Sequence, residues 1–367
     1  MDEPVVFNHT VLSEDADSDN STILDGQHGL LSYSARDVFI IVNHVIISSA
    51  IGLFGIVANV INMCVFRLQG WKSSTNISFF ALTLCDLFSL IFLEWMNVCL
   101  NPFIENIDSV IIFKEIQFLT AGILHVCTAR ITSCVTAYIT AERCLSIVFP
   151  LKIKQLVTPR RAATIMVIIY SVNIATLIPE YAAAYFDWKF YPPKNKTMIG
   201  LQFRSYKTLA ESLLFIFHAA LAVFSFVATI VFTSILVLKL KLSAQFRKST
   251  TFDSEQIEMK TARDKRTMTM VILVATNLII FYFPTVAFCI VLPVVPEFSI
   301  IGRESNLFEA VWSFAFLCHS INSSINIFVY LKMSSKFKNN FRKLFSVSAN
   351  DKPAELVRKT NKETQKL

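Results

Sequence analysis

Glu142 and Arg143 stand side by side at the end of a long apolar stretch, in Thr140-Ala-Glu142-Arg143-Cys144-Leu-Ser-Ile-Val-Phe-Pro150. An arginine beside a carboxylate there can be neutralised by it, and an ion pair that can be broken is a switch. The bland alternative is an arginine that snorkels to an interface and only marks it. Asp86, Glu94, His125 and Arg130 interrupt other apolar stretches. Ionisable groups in such surroundings are costly, and a function is the default explanation for them. Their chemistry is not that of an enzyme. Catalysis needs paired carboxylates or a metal-binding His cluster, whereas Asp86 is the only Asp in mid-stretch and the 6 His are scattered. The 8 Cys lie within or at the ends of apolar segments with no metal-ligand spacing, so they read as buried thiols and neither metal nor disulfide is expected. What remains is binding and electrostatic switching.

The elements that position these residues follow from composition. Of 367 residues, 54% are hydrophobic, 33 are Phe and only 17% are charged. A soluble chain carries about a quarter charged residues, and so much apolar surface does not fit one water-soluble core. Seven apolar blocks run approximately over 38–66, 76–100, 115–146, 162–182, 208–240, 265–293 and 306–331. Each is long enough to cross a bilayer, and backbone groups in lipid must be satisfied internally, so each is expected to be a helix. The expected fold is an all-α membrane protein, a seven-transmembrane helix bundle. A short amphipathic stretch, Ser334 to Phe345, follows it. There Phe337, Phe341, Leu344 and Phe345 recur at helical spacing among Lys336, Lys338, Arg342 and Lys343, which suits a helix lying on the membrane surface. The organisation is then a disordered acidic N-terminus at 1–36, the bundle at 37–332, the surface helix at 333–346 and a tail at 347–367. The N-terminus shows no basic run followed by an apolar core, so no cleaved signal peptide is expected and the first span serves as its own insertion signal.

Lys and Arg set the orientation. Arg67 and Lys72, Lys152 to Arg161, Lys239 to Arg266 and the segment after the last block all fall on one side, which reads as cytosolic. The opposite side has Lys114 after the second block; the loop after the fourth breaks the trend with Lys189, Lys194, Lys196, Arg204 and Lys207. The formal net charge of +7 is thus explained by topology, and nucleic acid is not expected as a partner. The sequons at Asn8, Asn20 and Asn195 all lie on the less basic side, which is expected to be extracellular and glycosylated. Matches at Asn76 and Asn322 fall at or inside a span and are expected to stay unmodified.

The Glu142-Arg143-Cys144 run resembles the Asp/Glu-Arg-Tyr signature of rhodopsin-like G-protein-coupled receptors. Asn322-Ser-Ser-Ile-Asn326-Ile-Phe-Val-Tyr330 resembles their Asn-Pro-x-x-Tyr motif, with Ile327 where Pro is usual. Gly55-Ile-Val-Ala-Asn59, Leu82-Thr-Leu-Cys-Asp86 and Phe281-Tyr282-Phe-Pro284 match in register, so five of seven spans carry a match in order. The texture is similar to that of invertebrate neuropeptide and chemosensory receptors. The resemblance implies that Asp264, 20 residues before Pro284, pairs with Arg143 across the cytosolic ends of the helices, and that Tyr330 joins the coupling switch. It also implies that Thr132, Asn322, Ser323, Asn326 and Asn59 gather around Asp86. That set suits either a sodium ion as an allosteric ligand or a water-filled polar network. The ligand is expected in the outer half of the bundle, against Glu94, His125, Ala129, Arg130, Tyr282, Thr285, Trp312, Phe316 and Ser320. Arg130 needs a partner, for which Glu94, Glu180, Glu211 or an acidic ligand group are candidates; His218 and His319 read as satisfied core histidines. His125 sits where amine receptors carry Asp, and Ser320 where opsins carry the retinal-binding Lys, so neither an amine receptor nor a photopigment is expected.

Departures from the family pattern are plain. Phe118 stands where the family carries a disulfide-bonded Cys, and 183–207 contain no Cys. No Cys follows the surface helix. The expected function is transduction of an extracellular peptide or small chemical to a heterotrimeric G protein at the plasma membrane, with arrestin and receptor kinases as further partners. A transporter or channel is the alternative. Against it, the halves show no repeat and Gly is only 8 of 367.

Overall fold

The computed structural model describes residues 29–105, 107–149, 157–249, 255–299 and 302–345, the side chains of 102, 105, 243–249 and 255–264 excepted. Seven helices among them are long and apolar enough to cross a membrane: α1 Tyr33–Gln69, α2 Ser74–Cys99, α3 Phe113–Val148, α4 Pro159–Ala183, α5 Lys207–Leu242, α6 Lys265–Val291 and α7 Ser305–Met333. The helices of α5 and α6 continue to Ser249 and back to Glu255. An eighth helix, α8, covers 335–345. The protein is a multi-pass membrane protein. Large apolar side chains such as Leu53, Phe224 and Phe283 are more than half exposed, as a lipid solvent allows. In the apolar window of α7, 72% of residues are buried, against 28% in α1 and α4, so α7 is central and those two are peripheral.

Local chemistry fixes where helices start, stop and bend. Thr158 caps α4 by accepting from the Arg161 backbone N–H at 3.3 Å, with Pro159 in the first helical position. Gly70 ends α1 with φ +79°, a conformation that disfavours any side chain. Pro284 lies inside α6 and removes one backbone donor. Two widened π-helical stretches, Ile41–Ser48 and Phe118–Gly122, interrupt α1 and α3. The first turns Asn43 and His44 inward, to Ser313 Oγ at 2.9 Å and Asn97 Oδ1 at 2.9 Å. Gly55 lets α1 close on α7: a Cβ there would stand 2.0 Å from Ser324 Oγ and 2.6 Å from a Leu90 methyl.

Between α4 and α5 the chain forms a hairpin, β1 Ala184–Tyr191 and β2 Lys196–Phe203, paired antiparallel from Ala184↔Phe203 to Tyr191↔Lys196. Asn195 turns the corner with φ 47°. The second edge of β2 is occupied by the segment before α3, through Ile199 N–H to Val110 C=O at 2.7 Å and Ile112 N–H to Ile199 C=O at 2.9 Å. Glu115 ties the hairpin to α3, receiving Lys189 Nζ on Oε1 and the Leu201 N–H on Oε2, both at 2.7 Å. The Phe118 ring packs edge-on against Phe203 with centroids 6.2 Å apart, at the place the family's disulfide would occupy. Lys196 pairs with Asp108 and holds that carboxyl below its ordinary range.

At the opposite end, Phe66, Phe79, Tyr330 and Phe337 form one ring cluster, with centroids 5.2–6.0 Å apart. Phe337 belongs to α8 and is 0% exposed, which docks the amphipathic helix against the bundle. The N-terminus 1–28 and the tail 346–367 lie outside the described residues.

Candidate functional site

The polar residues that interrupt the spans assemble in three layers. In the first, at the end away from the hairpin, Arg143 Nη2 donates to Glu142 Oε1 at 2.7 Å, and that same oxygen accepts from Ser74 Oγ at 2.8 Å. Arg143 Nη2 also donates to Thr75 Oγ1. The pair is thus anchored to the first residues of α2. Glu142 is buried while Arg143 is part-exposed, so the carboxylate is fixed and the guanidinium is the member free to leave. Asp264 lies on helical backbone, but its side chain is outside the described residues. Tyr330 is fully buried in the ring cluster and its hydroxyl has no partner.

In the middle layer Asp86 Oδ1 accepts from Thr132 Oγ1 at 2.9 Å and Ser323 Oγ at 3.2 Å, and Oδ2 from Asn326 Nδ2 at 2.9 Å. These bonds link α2, α3 and α7 at one carboxylate. Asn59 of α1 donates to the Ser323 and Gly55 carbonyls at 2.8 and 2.9 Å. Asn322, expected in this shell, is buried but does not bond Asp86. It precedes Ser323 by one residue, and a helix turns about 100° per residue, so the two cannot both face the same carboxylate. The Oδ1 atoms of Asn59 and Asn326 are buried and unpartnered.

The third layer, toward the hairpin, is a chain of imidazoles. His125 Nδ1 lies 2.9 Å from the Ser89 carbonyl, His125 Nε2 lies 3.3 Å from His319 Nδ1, and His319 Nε2 lies 2.7 Å from Thr285 Oγ1. A carbonyl only accepts, so Nδ1 of His125 carries the proton. Nε2 then accepts from His319 Nδ1–H, and Thr285 donates to His319 Nε2. The whole chain is satisfied with both rings neutral, and it joins α2, α3, α7 and α6. Tyr282 stacks on His319 at 5.3 Å, Phe316 meets His125 edge-on at 5.0 Å, and Trp312 meets Phe316 at 5.1 Å. Ala129 packs in one cluster with Ala222 and Tyr282. Seven of the nine expected pocket residues therefore gather between the helices or adjoin the gathering.

Glu94 and Ser320 do not join them. Glu94 lies against Gly52 of α1, and Ser320 Oγ donates to the Ser48 carbonyl at 3.3 Å. The π-helical stretch Ile41–Ser48 brings α1 polar groups into that side of the bundle, and Ser320 bonds the last of them. Arg130 also departs from expectation, since its partners are neutral. Nε donates to Asn173 Oδ1 at 2.6 Å, and Nη2 to Thr176 Oγ1 at 2.5 Å and the Asn173 carbonyl at 3.1 Å. Glu211 pairs instead with Lys207 at 3.6 Å, and both Glu180 oxygens are unpartnered. His218, expected to be satisfied, has neither ring nitrogen bonded, whereas His319 is the hub of the imidazole chain. Sequence reasoning missed that hub because a His on an apolar helix face gives no sign of a second His on another helix. Among the described residues no group of three or more His, Cys, Asp or Glu is placed to hold a metal ion.

The sequence that builds these layers has relatives among known proteins. The family described as "Serpentine type 7TM GPCR chemoreceptor Srw" matches residues 46–348. The chain belongs to that family of G-protein-coupled receptors. The receptor is also 25% identical over 325 residues to galanin receptor 2b of Danio rerio, covering 86% of its own length and 77% of the relative's. The family match, from within α1 to just beyond α8, contains all three polar layers. The function of the receptor is signalling through a G protein, with an extracellular ligand as the other partner.

Proposed function

We propose that the receptor sits in the plasma membrane with the hairpin end outside, takes a small chemical ligand beside the imidazole chain, and opens its Arg143 end to a heterotrimeric G protein. The observation that carries this reading is the closed Glu142–Arg143 pair, docked on Ser74 and Thr75 of α2. It is a held state that a conformational change can release. Orientation rests on the basic residues that cluster at the Arg143 end, and Asn195, exposed at the hairpin corner, suits glycosylation there. Asn8 and Asn20 lie outside the described residues. A relative named for galanin raises a peptide ligand. The chemoreceptor family and the burial of His125, His319 and Tyr282 favour a small one. Arrestin and receptor kinases fit the same intracellular face.

The Asp86 layer suits a sodium ion. The carboxylate supplies the charge, and the unpartnered Asn59 and Asn326 oxygens stand beside the hydroxyls of Thr132 and Ser323 as further hard ligands. Such an ion would add a fixed positive charge tying α2, α3 and α7 together in the resting state.

The switch is tested without knowing the ligand. In cells carrying a promiscuous G-protein reporter, Asp264→Asn raises the ligand-independent signal several-fold, and adding Arg143→Ala removes it while surface expression holds. A signal that survives in the double variant overturns the role of Arg143. An N-terminal epitope tag labels on intact cells, and labelling only after permeabilisation reverses the orientation.

A further inference from the structure

At the foot of α4 an open cleft of about 760 Å³ separates the first turn of that helix from the loop between α1 and α2. Its lining is Trp71, Thr158, Pro159, Arg160 and Arg161. That volume is in the range of small-ligand sites. Both arginines are exposed, and among the described residues no carboxylate lines the cleft. Thr158 Oγ1 accepts the Arg161 backbone N–H at 3.3 Å, so the start of the helix is already capped and the side chains are what the cleft offers. Its walls are fixed. The Trp71 ring meets Phe80 of α2 edge-on with centroids 4.9 Å apart, and the Tyr170 hydroxyl of α4 donates to the Ala81 carbonyl of α2 at 2.7 Å. Trp71 and α4 are thus both tied to α2, and the space between them exists before anything enters it.

Beyond the arginines α4 turns an apolar row outward. Val167, Ile168 and Val172 are 64%, 53% and 49% exposed. Ile168 and Val172 stand at i+7 and i+11 from Arg161, and Val167 at i+7 from Arg160, so the row continues the side of the helix that carries the two charges. Trp71 is 48% exposed, and an indole with an apolar body and one N–H suits the boundary between lipid and water. A soluble anion would use the arginines and leave the indole and the apolar row without a part. An anion with acyl chains uses all three, because guanidinium forks match phosphate oxygens while the chains lie against the row. Arginines that only mark the cytosolic side need neither a cleft nor a fixed indole.

We propose that this cleft binds an anionic phospholipid, with the phosphate at Arg160 and Arg161, the glycerol beside Trp71 and the acyl chains along Val167, Ile168 and Val172. Basic pockets of this kind at the cytosolic face of a bundle take lipid headgroups, and the cytosolic leaflet is where anionic lipids gather. The choice of leaflet rests on the orientation proposed above; the binding does not.

The test is native mass spectrometry of the full-length receptor, released from detergent with phosphatidylserine and phosphatidylcholine present at equal concentration. The wild type retains phosphatidylserine in preference. In the Arg160→Gln/Arg161→Gln double variant its affinity for phosphatidylserine falls about 30-fold, whereas Arg160→Lys/Arg161→Lys, which keeps both charges in a folded protein, retains most of it. Trp71→Ala, with both arginines in place, also weakens the lipid. Lys338→Gln/Arg342→Gln removes two exposed charges from α8 and leaves the affinity unchanged. The proposal is overturned if the α8 variant costs as much as the arginine variant, because the attraction then belongs to the basic surface as a whole, or if Trp71→Ala costs nothing. Equal retention of phosphatidylcholine overturns the anionic chemistry. Displacement of the lipid by millimolar glycerol 3-phosphate overturns the lipid as occupant in favour of a soluble phosphate. An inverted orientation, read by the epitope tag, moves the site to the other leaflet and leaves these binding results as they are.

Discussion

Replacing Glu115 by Ala tests what holds the outer hairpin in place. Glu115 Oε1 receives Lys189 Nζ and Oε2 receives the Leu201 N–H, both at 2.7 Å, and the two charged side chains are each 28% exposed. A partly exposed ion pair contributes about 0.5 kcal/mol, and a backbone N–H bonded to a carboxylate contributes about 1.5 kcal/mol once solvent competition is allowed for. Their sum, about 2 kcal/mol, corresponds to about 30-fold in the equilibrium between docked and undocked hairpin. Hydrogen exchange reads that equilibrium at single amides. In Glu115→Ala the Leu201 and Ile199 amides exchange about 30-fold faster, while amides in the middle of α3 are unchanged. Unchanged protection at Leu201 and Ile199 would refute the reasoning and leave the hairpin held by the Ile199 backbone bonds to Val110 and Ile112 and by the Phe118–Phe203 contact. A uniform loss of protection throughout the bundle would refute it differently, by showing that Glu115 supports the whole fold.

Two more outcomes follow from the other layers. Thr75→Val keeps the shape of the side chain but removes one of the two oxygens that Nη2 of Arg143 donates to, so ligand-independent reporter signal rises by up to about tenfold; a silent variant would mean that Thr75 does not restrain the arginine. His319→Phe preserves a flat ring against Tyr282 but orphans His125 Nε2 and Thr285 Oγ1, costing about 1–3 kcal/mol for each orphan; an unchanged midpoint in thermal unfolding would show that the imidazole chain carries no stability.

The helices, and the polar residues set inside them, were legible in the sequence for one reason. Inside an apolar span, a charged residue stands out as it never does in a soluble protein. Glu142, Arg143 and Asp86 were therefore readable as residues that the fold must bury and partner. Of the shell expected around Asp86, Thr132, Ser323 and Asn326 bond it, whereas Asn59 bonds the Ser323 and Gly55 carbonyls and helical geometry turns Asn322 away. What was not legible is which way each helix rotates. A buried arginine suggests an acidic partner, yet Asn173 and Thr176 on α4 present closer neutral oxygens. No periodicity in the sequence announces that. Glu94 and Ser320 were drawn toward α1 by a π-helical stretch that shifts its register, a departure hard to see in a run as uniformly apolar as Ile41 to Ser48. The hairpin was missed because its strands mix lysines with aromatics between two spans. Topology reading weighed those lysines as charge, while the alternation in Ala184-Tyr-Phe-Asp-Trp-Lys-Phe-Tyr191 went unread.

The cover on β2 limits how a peptide could be recognised. Strand β2 has β1 on one side, and on the other Val110 to Ile112 together with the Glu115 carboxylate, which stands at Leu201 where a neighbouring strand's carbonyl would. Binding by strand addition needs an edge with open donors and acceptors. An extended peptide therefore cannot zip onto β2 without first evicting part of α3's own entrance, and the outer edge of β1 is the side of the hairpin left to it.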